Sequence, residues 1–258
     1  MSPQFDQSLI FVPAYNVATF IPTVLDRIPA HIARDAAEIL VVDNCSQDGT
    51  GEAALESAAR LKLKNLRVLR NARNLGYGGS QKVAYATAIR DGRTVVAMLH
   101  GDAQYAPEHL ERLIEPVASG QYDMVFGSRM AGDPLKGGMP LYRFLGNRFL
   151  TTLQNLVLGT RLTEFHPGYR VYSVSALSKI PYDRLSNDYH FDTEIIVLLL
   201  HHGLRIGEVP IPTHYGDEPN YVNVWKYGTG VLVTTGTYFL HRLGLRRSKR
   251  WKEILGNS

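Results

Sequence analysis

A histidine, an aspartate and a glutamine stand two residues apart in "VVAMLHGDAQYAPEHL", at His100, Asp102 and Gln104, straight after an apolar run. If the backbone stays extended past that run, the three side chains share one face of a strand end. Asp102 and Gln104 offer oxygen atoms suited to a hard cation such as Mg2+ or Mn2+, with His100 beside them. The plain alternative is a polar strand end facing solvent. Zinc fits less well, because no second histidine or cysteine stands at a zinc-site spacing.

Three other apolar runs end in similar polar punctuation: "PAYN" from Pro13, "DNCSQDGT" from Asp43 and "NARNLGYGGSQK" from Asn71. Asp43 is placed to accept hydrogen bonds from a ribose or a base. Asp48 and Thr50 are explained more simply as residues that start a helix. Gly76, Gly78 and Gly79 would let backbone approach a phosphate at a helix start, a weak signal when taken alone. They are no dinucleotide fingerprint, since no G-x-G-x-x-G follows the first strand. Cys45 reads as a small packing residue.

These segments need a scaffold that gathers strand ends. "LIFVPAY", "EILVVDN", "LRVLRN", "TVVAMLHG" and "YDMVFGSR" read as strands. Helical patterns lie between them in "ATFIPTVLDRI", "TGEAALESAARL", "YGGSQKVAYATAIRDG" and "PEHLERLIEPVASG", the last opening on Pro107 and stopping at Gly120. The alternation predicts an α/β fold with a doubly wound, mainly parallel sheet, whose strand ends share one crevice. Residues 131–140, rich in Gly and Pro, read as a loop. A helix at about 141–158, a strand near "GYRVYS", a helix in "FDTEIIVLLLHHG" and a strand in "RIGEVPIP" complete the pattern.

The chain has 258 residues, 45% of them hydrophobic and 20% charged, as expected of a folded globular protein. Its formal charge is +4, but six basic residues against Glu253 in 242–258 account for the excess, and the rest carries −1. A nucleic-acid partner is therefore not expected, since its positive field would sit on the folded body. One cysteine and no signal-like N-terminus point to a reducing, cytoplasmic setting.

Taken in order, "PAYN", "VVDNCSQDGT", "NLGYGGSQK", "HGDAQYAPE", "VFGSRM" and "TEFHPGYRVYS" resemble an inverting family 2 glycosyltransferase of GT-A fold. The likeness is greatest to the branch of dolichyl-phosphate mannose synthases and polyprenyl-phosphate glycosyltransferases. "FDTEII" and "RIGEVPIPT" extend it, to about residues 8–215. The resemblance implies a nucleotide-sugar donor (UDP-, GDP- or dTDP-linked), Mg2+ or Mn2+, and a lipid-phosphate acceptor. It implies donor contacts from Pro13, Tyr15, Asn16, Asp43, Gly76 and Lys82, and a metal triplet at His100, Asp102 and Gln104. It also implies phosphate-binding arginines at Arg129 and Arg143, with Asn147 beside the latter, and an acidic residue at Glu164.

The chain departs from the pattern in places. His100 replaces the usual first aspartate, and Val17 and Asn44 stand where acidic residues are common. "THYGDEPNYVN" is acidic where that branch usually has an arginine and a lysine.

A phosphate acceptor is already an anion and needs cations to align it, a role for Arg129 and Arg143. A hydroxyl acceptor needs a general base, first Glu164 and then Asp192. Asp102 serves the departing diphosphate in both schemes. A sugar nucleotidyltransferase and a non-catalytic nucleotide-sugar binder remain as alternatives.

The domain reading is a catalytic unit at 1–220 and a C-terminal helix with basic tail at 221–258. The uncharged run between Lys226 and His241 is short of the ~20 residues a bilayer span needs. Leu232, Phe239 and Leu243 would form one helical stripe. With Trp251 and the basic residues it suggests a peripheral contact at the inner face of the membrane, against a plain alternative of a docked helix with a solvated end.

Overall fold

The computed structural model describes residues 5–212, 224–246 and 248–255. The acidic stretch 213–223 and Arg247 lie outside the described residues.

The chain opens with β1 (Ser8–Ala14), α1 (Ile21–Arg27), α2 (Ala30–Asp35), β2 (Glu38–Asp43), α3 (Thr50–Leu61), β3 (Leu66–Arg70) and α4 (Tyr77–Arg90). It continues through β4 (Val95–Met98), a 3₁₀ turn at Pro107–His109, α5 (Leu110–Ala118), β5 (Met124–Ser128) and α6 (Leu141–Leu158). Then come β6 (Arg170–Ser173), α7 (Val174–Leu177), α8 (Phe191–His201), β7 (Ile206–Pro210), α9 (Val224–Arg242) and α10 (Lys249–Leu255). The seven strands form one sheet in the order β3-β2-β1-β4-β6-β5-β7. It is the mainly parallel, doubly wound sheet that the alternation predicts.

Each central strand is apolar on both faces, as a sheet covered on both sides demands. In β1, Leu9 and Phe11 face one core, shared with α4, α8 and α10; Ile10 and Val12 face the other, shared with α1, α2 and α5.

The exception to parallel order decides where the site lies. β6 runs antiparallel to both neighbours, pairing Arg170 with Met98 of β4 and with Phe126 of β5. Its amino end therefore falls between the carboxyl ends of β4 and β5. β1 and β2 pair Ala14 with Asp43 in parallel register, so their polar ends come to the same edge. The segment before β6, "TEFHPGY", is thus set against the residues that follow β4 and β5.

The C-terminal elements belong to this body. α9 packs on α6 and α8, and α10 packs on α9. Trp251 is 1% exposed, with its ring 5.1 Å from that of Tyr238 and its Nε1 donating to Thr237 Oγ1 at 3.2 Å. Arg250 makes a bidentate pair with Glu194 of α8. The expectation that Trp251 enters a lipid boundary is therefore corrected: a large indole buried against the domain gains more than an interfacial one. No helix among the described residues is long and apolar enough to cross a membrane.

Candidate active site

The strand before the metal-type triplet stops at Met98, and the backbone turns at Gly101 and Asp102, with Ala103 in the left-handed region (φ 62°). The three side chains therefore do not alternate on one extended face, as the sequence alone suggests. Gln104 is exposed, and its N–H donates to Asp102 Oδ1 at 3.1 Å, closing the turn. His100 and Asp102 do converge, with Nδ1 and Oδ2 4.0 Å apart, too far for a hydrogen bond.

Such a nitrogen–oxygen pair fits a divalent ion whose other positions are filled by substrate phosphates and water, since phosphate sites often use only one or two protein ligands. Among the described residues no cluster of three or more His, Cys, Asp or Glu is placed to hold a metal without such help.

On the β1–β2 side, Asp43 is fully buried. Its Oδ1 accepts the Ser46 N–H at 2.9 Å; Oδ2 has Arg70 Nε 3.6 Å away and no hydrogen-bond partner. A buried carboxylate oxygen without a hydrogen bond is costly, and the nearby Arg70 charge offsets that cost only in part. The two neighbouring loops are laced together. Asn16, at φ 52°, donates through its N–H to Ser46 Oγ and accepts the Gln47 N–H. Asp48 accepts from Thr50 at the start of α3 and also from the Ala18 N–H. Tyr15 is 45% exposed beside them.

Asn44 has a reason to be neutral. Its Nδ2 donates to Asn74 Oδ1 at 2.8 Å and to the Gly76 carbonyl, while its Oδ1 accepts from Asn71 Nδ2 and the Leu75 N–H. An aspartate could not make the two donations.

The glycine-rich start of α4 faces protein. A Cβ on Gly76 or Gly78 would collide with the carbonyls of Asn187 and Ser186. The Gly76 N–H goes to Asn74 Oδ1, and that of Gly78 to the Asn187 carbonyl. Lys82 donates to the Leu185 carbonyl and to Asn187 Oδ1. These glycines are thus accounted for by close packing of the 185–187 segment.

At the end of β5, Arg129 meets Glu164. The carboxylate is fully buried and accepts from the Arg129 guanidinium, the N–H groups of Arg129 and Met130, and Asn147 Nδ2 at 2.7 Å. Burial pushes the Glu164 carboxyl up, but the Arg129 charge and these hydrogen bonds outweigh it and hold it below the usual range. Asn147 lies on α6, one turn beyond Arg143, whose Nε contacts Tyr142 Oη at 3.2 Å.

Sequence reasoning missed Tyr77, Gln81 and His166. Tyr77 donates to Asp192 Oδ2 at 3.0 Å, and Asp192 also takes Gln81 Nε2 and the buried Arg170 guanidinium. Arg170 further donates to the carbonyls of Phe165 and Pro167, so it ties down the loop before β6. His166 meets Tyr227 Oη through Nδ1 at 3.1 Å, its Nε2 is buried without a hydrogen-bond partner, and burial lowers its pKa to about 4. No local spacing announces Tyr77 or Gln81, whose partner lies more than a hundred residues away.

The chain matches the Glycosyl transferase family 2 pattern over residues 9–181. It is 29% identical to polyprenol monophosphomannose synthase of Mycolicibacterium smegmatis, across 80% of this chain and 76% of that one. It is 27% identical to UDP-N-acetylglucosamine--dolichyl-phosphate N-acetylglucosaminyltransferase of Methanococcus voltae, across 91% and 93%. Its fold superposes on glucosyl-3-phosphoglycerate synthase of Mycobacterium tuberculosis solved with Mg2+ and UDP, at a TM-score of 0.69 and 19% identity over 94% and 81% of the two chains. The architecture is GT-A, and the chain is a member of glycosyl transferase family 2.

Proposed function

We propose that the protein is an inverting transferase that moves a sugar from a nucleoside-diphosphate donor to a polyprenyl phosphate. The observation that carries the donor half is Asp43 Oδ2, a buried oxygen where the β1 and β2 loops meet, with the Arg70 charge nearby but no hydrogen bond. A ribose hydroxyl or a base N–H would satisfy it. His100 and Asp102 would hold Mg2+ or Mn2+, with Gln104 beside them; a divalent ion supplies charge stabilisation for a departing diphosphate.

The relatives named for polyprenol and dolichyl-phosphate products support a lipid phosphate as acceptor. So does the state of Glu164. A general base needs a free lone pair and a pKa near the working pH, whereas Glu164 is buried, saturated and shifted down. Its role in this reading is to aim Arg129 at the acceptor phosphate, with Arg143 as the second cation. Pro13, Tyr15 and Asn16 would line the nucleoside. We retain Gly76 and Lys82 only as the packing beneath the donor.

The lipid contact is assigned to α6 and α9. Leu141, Tyr142, Leu145, Phe149 and Leu156 are all more than half exposed and fall within about 100° of helix arc. They lie opposite the buried Thr151, Gln154 and Leu158, and Arg148 flanks them. On α9, Leu232, Val233 and Phe239 are also open. An apolar stripe bordered by arginine suits an anionic membrane surface.

The test is transfer from radiolabelled UDP-, GDP- and dTDP-hexoses to a polyprenyl phosphate in detergent, with the free polyprenol as control and product anomer read by NMR. An anomerically inverted, phosphate-linked product is expected. Transfer to the polyprenol, pyrophosphate release from a nucleoside triphosphate, or donor binding with neither transfer nor hydrolysis would each replace this reading.

A further inference from the structure

His100 stands where the resemblance leads one to expect an aspartate, and the surrounding residues hold its ring in one orientation. Its imidazole lies 5.3 Å from the Tyr105 ring at 72° and 5.8 Å from the Tyr77 ring. Gly168 forms the floor, because a Cβ there would overlap Nε2, Cε1 and Cδ2 of His100. The Gly168 N–H in turn donates to Tyr105 Oη at 2.8 Å, so floor and wall are bonded to each other.

The hydrogen-bond chain behind the ring favours a proton on Nε2. His100 Nε2 is 3.4 Å from Tyr77 Oη, and the same hydroxyl is 3.0 Å from Asp192 Oδ2. A phenol has one proton to give. The Asp192 carboxylate, paired with Arg170 at 3.2 Å, is the nearer and stronger acceptor. With its proton given to Asp192, Tyr77 accepts from Nε2, an arrangement that suits the Nε2–H tautomer with the Nδ1 lone pair toward Asp102. Nδ1 has no hydrogen bond to Asp102 across 4.0 Å. Outer groups that set a ligating histidine in this way are a regular feature of metal sites.

We propose that His100 is a metal ligand through Nδ1, preset by Tyr77 and the Asp192–Arg170 pair, and that the site therefore prefers a first-row transition ion such as Mn2+ or Co2+ to Mg2+. The inference rests on the reading of His100 and Asp102 as a divalent-ion site. Its physical basis is ligand type: Mg2+ favours oxygen and sheds water reluctantly, while nitrogen ligands favour the later ions. Replacing a carboxylate by a neutral imidazole also removes one anionic charge that would hold Mg2+. Tyr77 is then a positioning residue, acting only through His100.

The experiment uses the full chain with Mn2+ and either UDP or GDP. Pulsed electron paramagnetic resonance should show a nitrogen directly coupled to Mn2+, and Mn2+/Mg2+ competition should favour Mn2+. His100→Asp should abolish the nitrogen coupling and reduce the Mn2+-over-Mg2+ preference about tenfold. Tyr77→Phe should weaken Mn2+ binding and broaden the coupling; long-range nitrogen–proton NMR of the metal-free wild type, which needs no variant, should report the Nε2–H form. Asp102→Asn should lose both ions. If Asp102→Asn instead leaves both bound, or the wild type binds neither, the divalent-ion reading itself is wrong. If Asp102→Asn abolishes binding but His100→Asp keeps the nitrogen coupling and the ion preference, or the NMR shows the Nδ1–H form, only the role of His100 is overturned.

Discussion

Glu164 and Arg129 are bonded to each other twice, once through the Arg129 backbone N–H at 3.0 Å and once through its guanidinium. The carboxylate thus fixes both the turn after β5 and the direction of the side chain that leaves it. The Met130 N–H and, from α6, Asn147 add further ties. Removing one partner of a buried ion pair typically costs about 3–5 kcal/mol, because the other charge is stranded.

The pair yields a prediction that separates positioning from base catalysis. Glu164→Gln should lower kcat/KM more than tenfold, because the amide cannot hold both Arg129 donors, and should leave the shape of the pH–rate profile unchanged. Disappearance of an acidic limb from the kcat profile in the variant would instead identify Glu164 as the base. Arg129→Ala should be unstable as well as inactive, so thermal unfolding must accompany the kinetics.

Gly168→Ala should act on His100 at a distance in sequence of more than sixty residues. The added methyl overlaps the imidazole, which has Tyr77 and Tyr105 beside it, so the ring must leave its place. The expected outcome is a fall in Mn2+ affinity of tenfold or more, read by paramagnetic resonance, with a smaller loss of stability. Unchanged affinity would show that the contact is slack.

Much of the fold was legible because strands and helices announce themselves locally. The apolar runs at Ser8–Ala14, Glu38–Asp43 and Met124–Ser128, and the long helix Leu141–Leu158, fall where the periodicity predicts them. What failed depends on neighbours distant in the chain. The extended backbone imagined at His100 ends early, at Met98. The glycines after Leu75 looked like a phosphate cradle, yet their neighbours are the backbone of Ser186 and Asn187. Trp251 and the basic tail read as an amphipathic end, because nothing near them hints at Glu194 or Tyr238 as partners. Asn44 shows the same limit: its identity is explained only by four residues of the β3–α4 connection.

His166 sets an acid limit on stability. Its pKa in the folded protein is about 4, against an ordinary value of 6.5, because burial penalises the cation. The unfolded chain therefore takes up a proton first. Stability is retained in full above about pH 6.5 and is lost as the pH falls toward 4, by on the order of 3 kcal/mol from this group. Urea unfolding at a series of pH values should show the slope, and His166→Phe should flatten it. A slope identical in the variant would assign the acid sensitivity to other groups.

The buried face of α10 makes truncation an unsuitable test of membrane contact. Ending the chain at Leu240 would strip away Trp251 and Ile254 from the core and break the Arg250–Glu194 pair. Any loss of lipid binding would then report unfolding. Trp251→Ala alone should cost about 3–5 kcal/mol, as large aromatic truncations in cores do. The open stripe of α6 can be altered without touching that core. Leu145 and Phe149 are 56% and 65% exposed, so glutamate at both should leave the melting temperature within a few degrees. The double variant should fail to co-sediment with anionic vesicles that retain the wild type, since it exchanges two apolar anchors for two charges repelled by the headgroups. It should keep its activity toward a short, water-soluble polyprenyl phosphate, because neither residue lies among those assigned to the reaction. Equal sedimentation of both proteins with anionic vesicles would remove α6 from the lipid contact. Loss of activity on the short acceptor would place Leu145 and Phe149 in the acceptor channel itself.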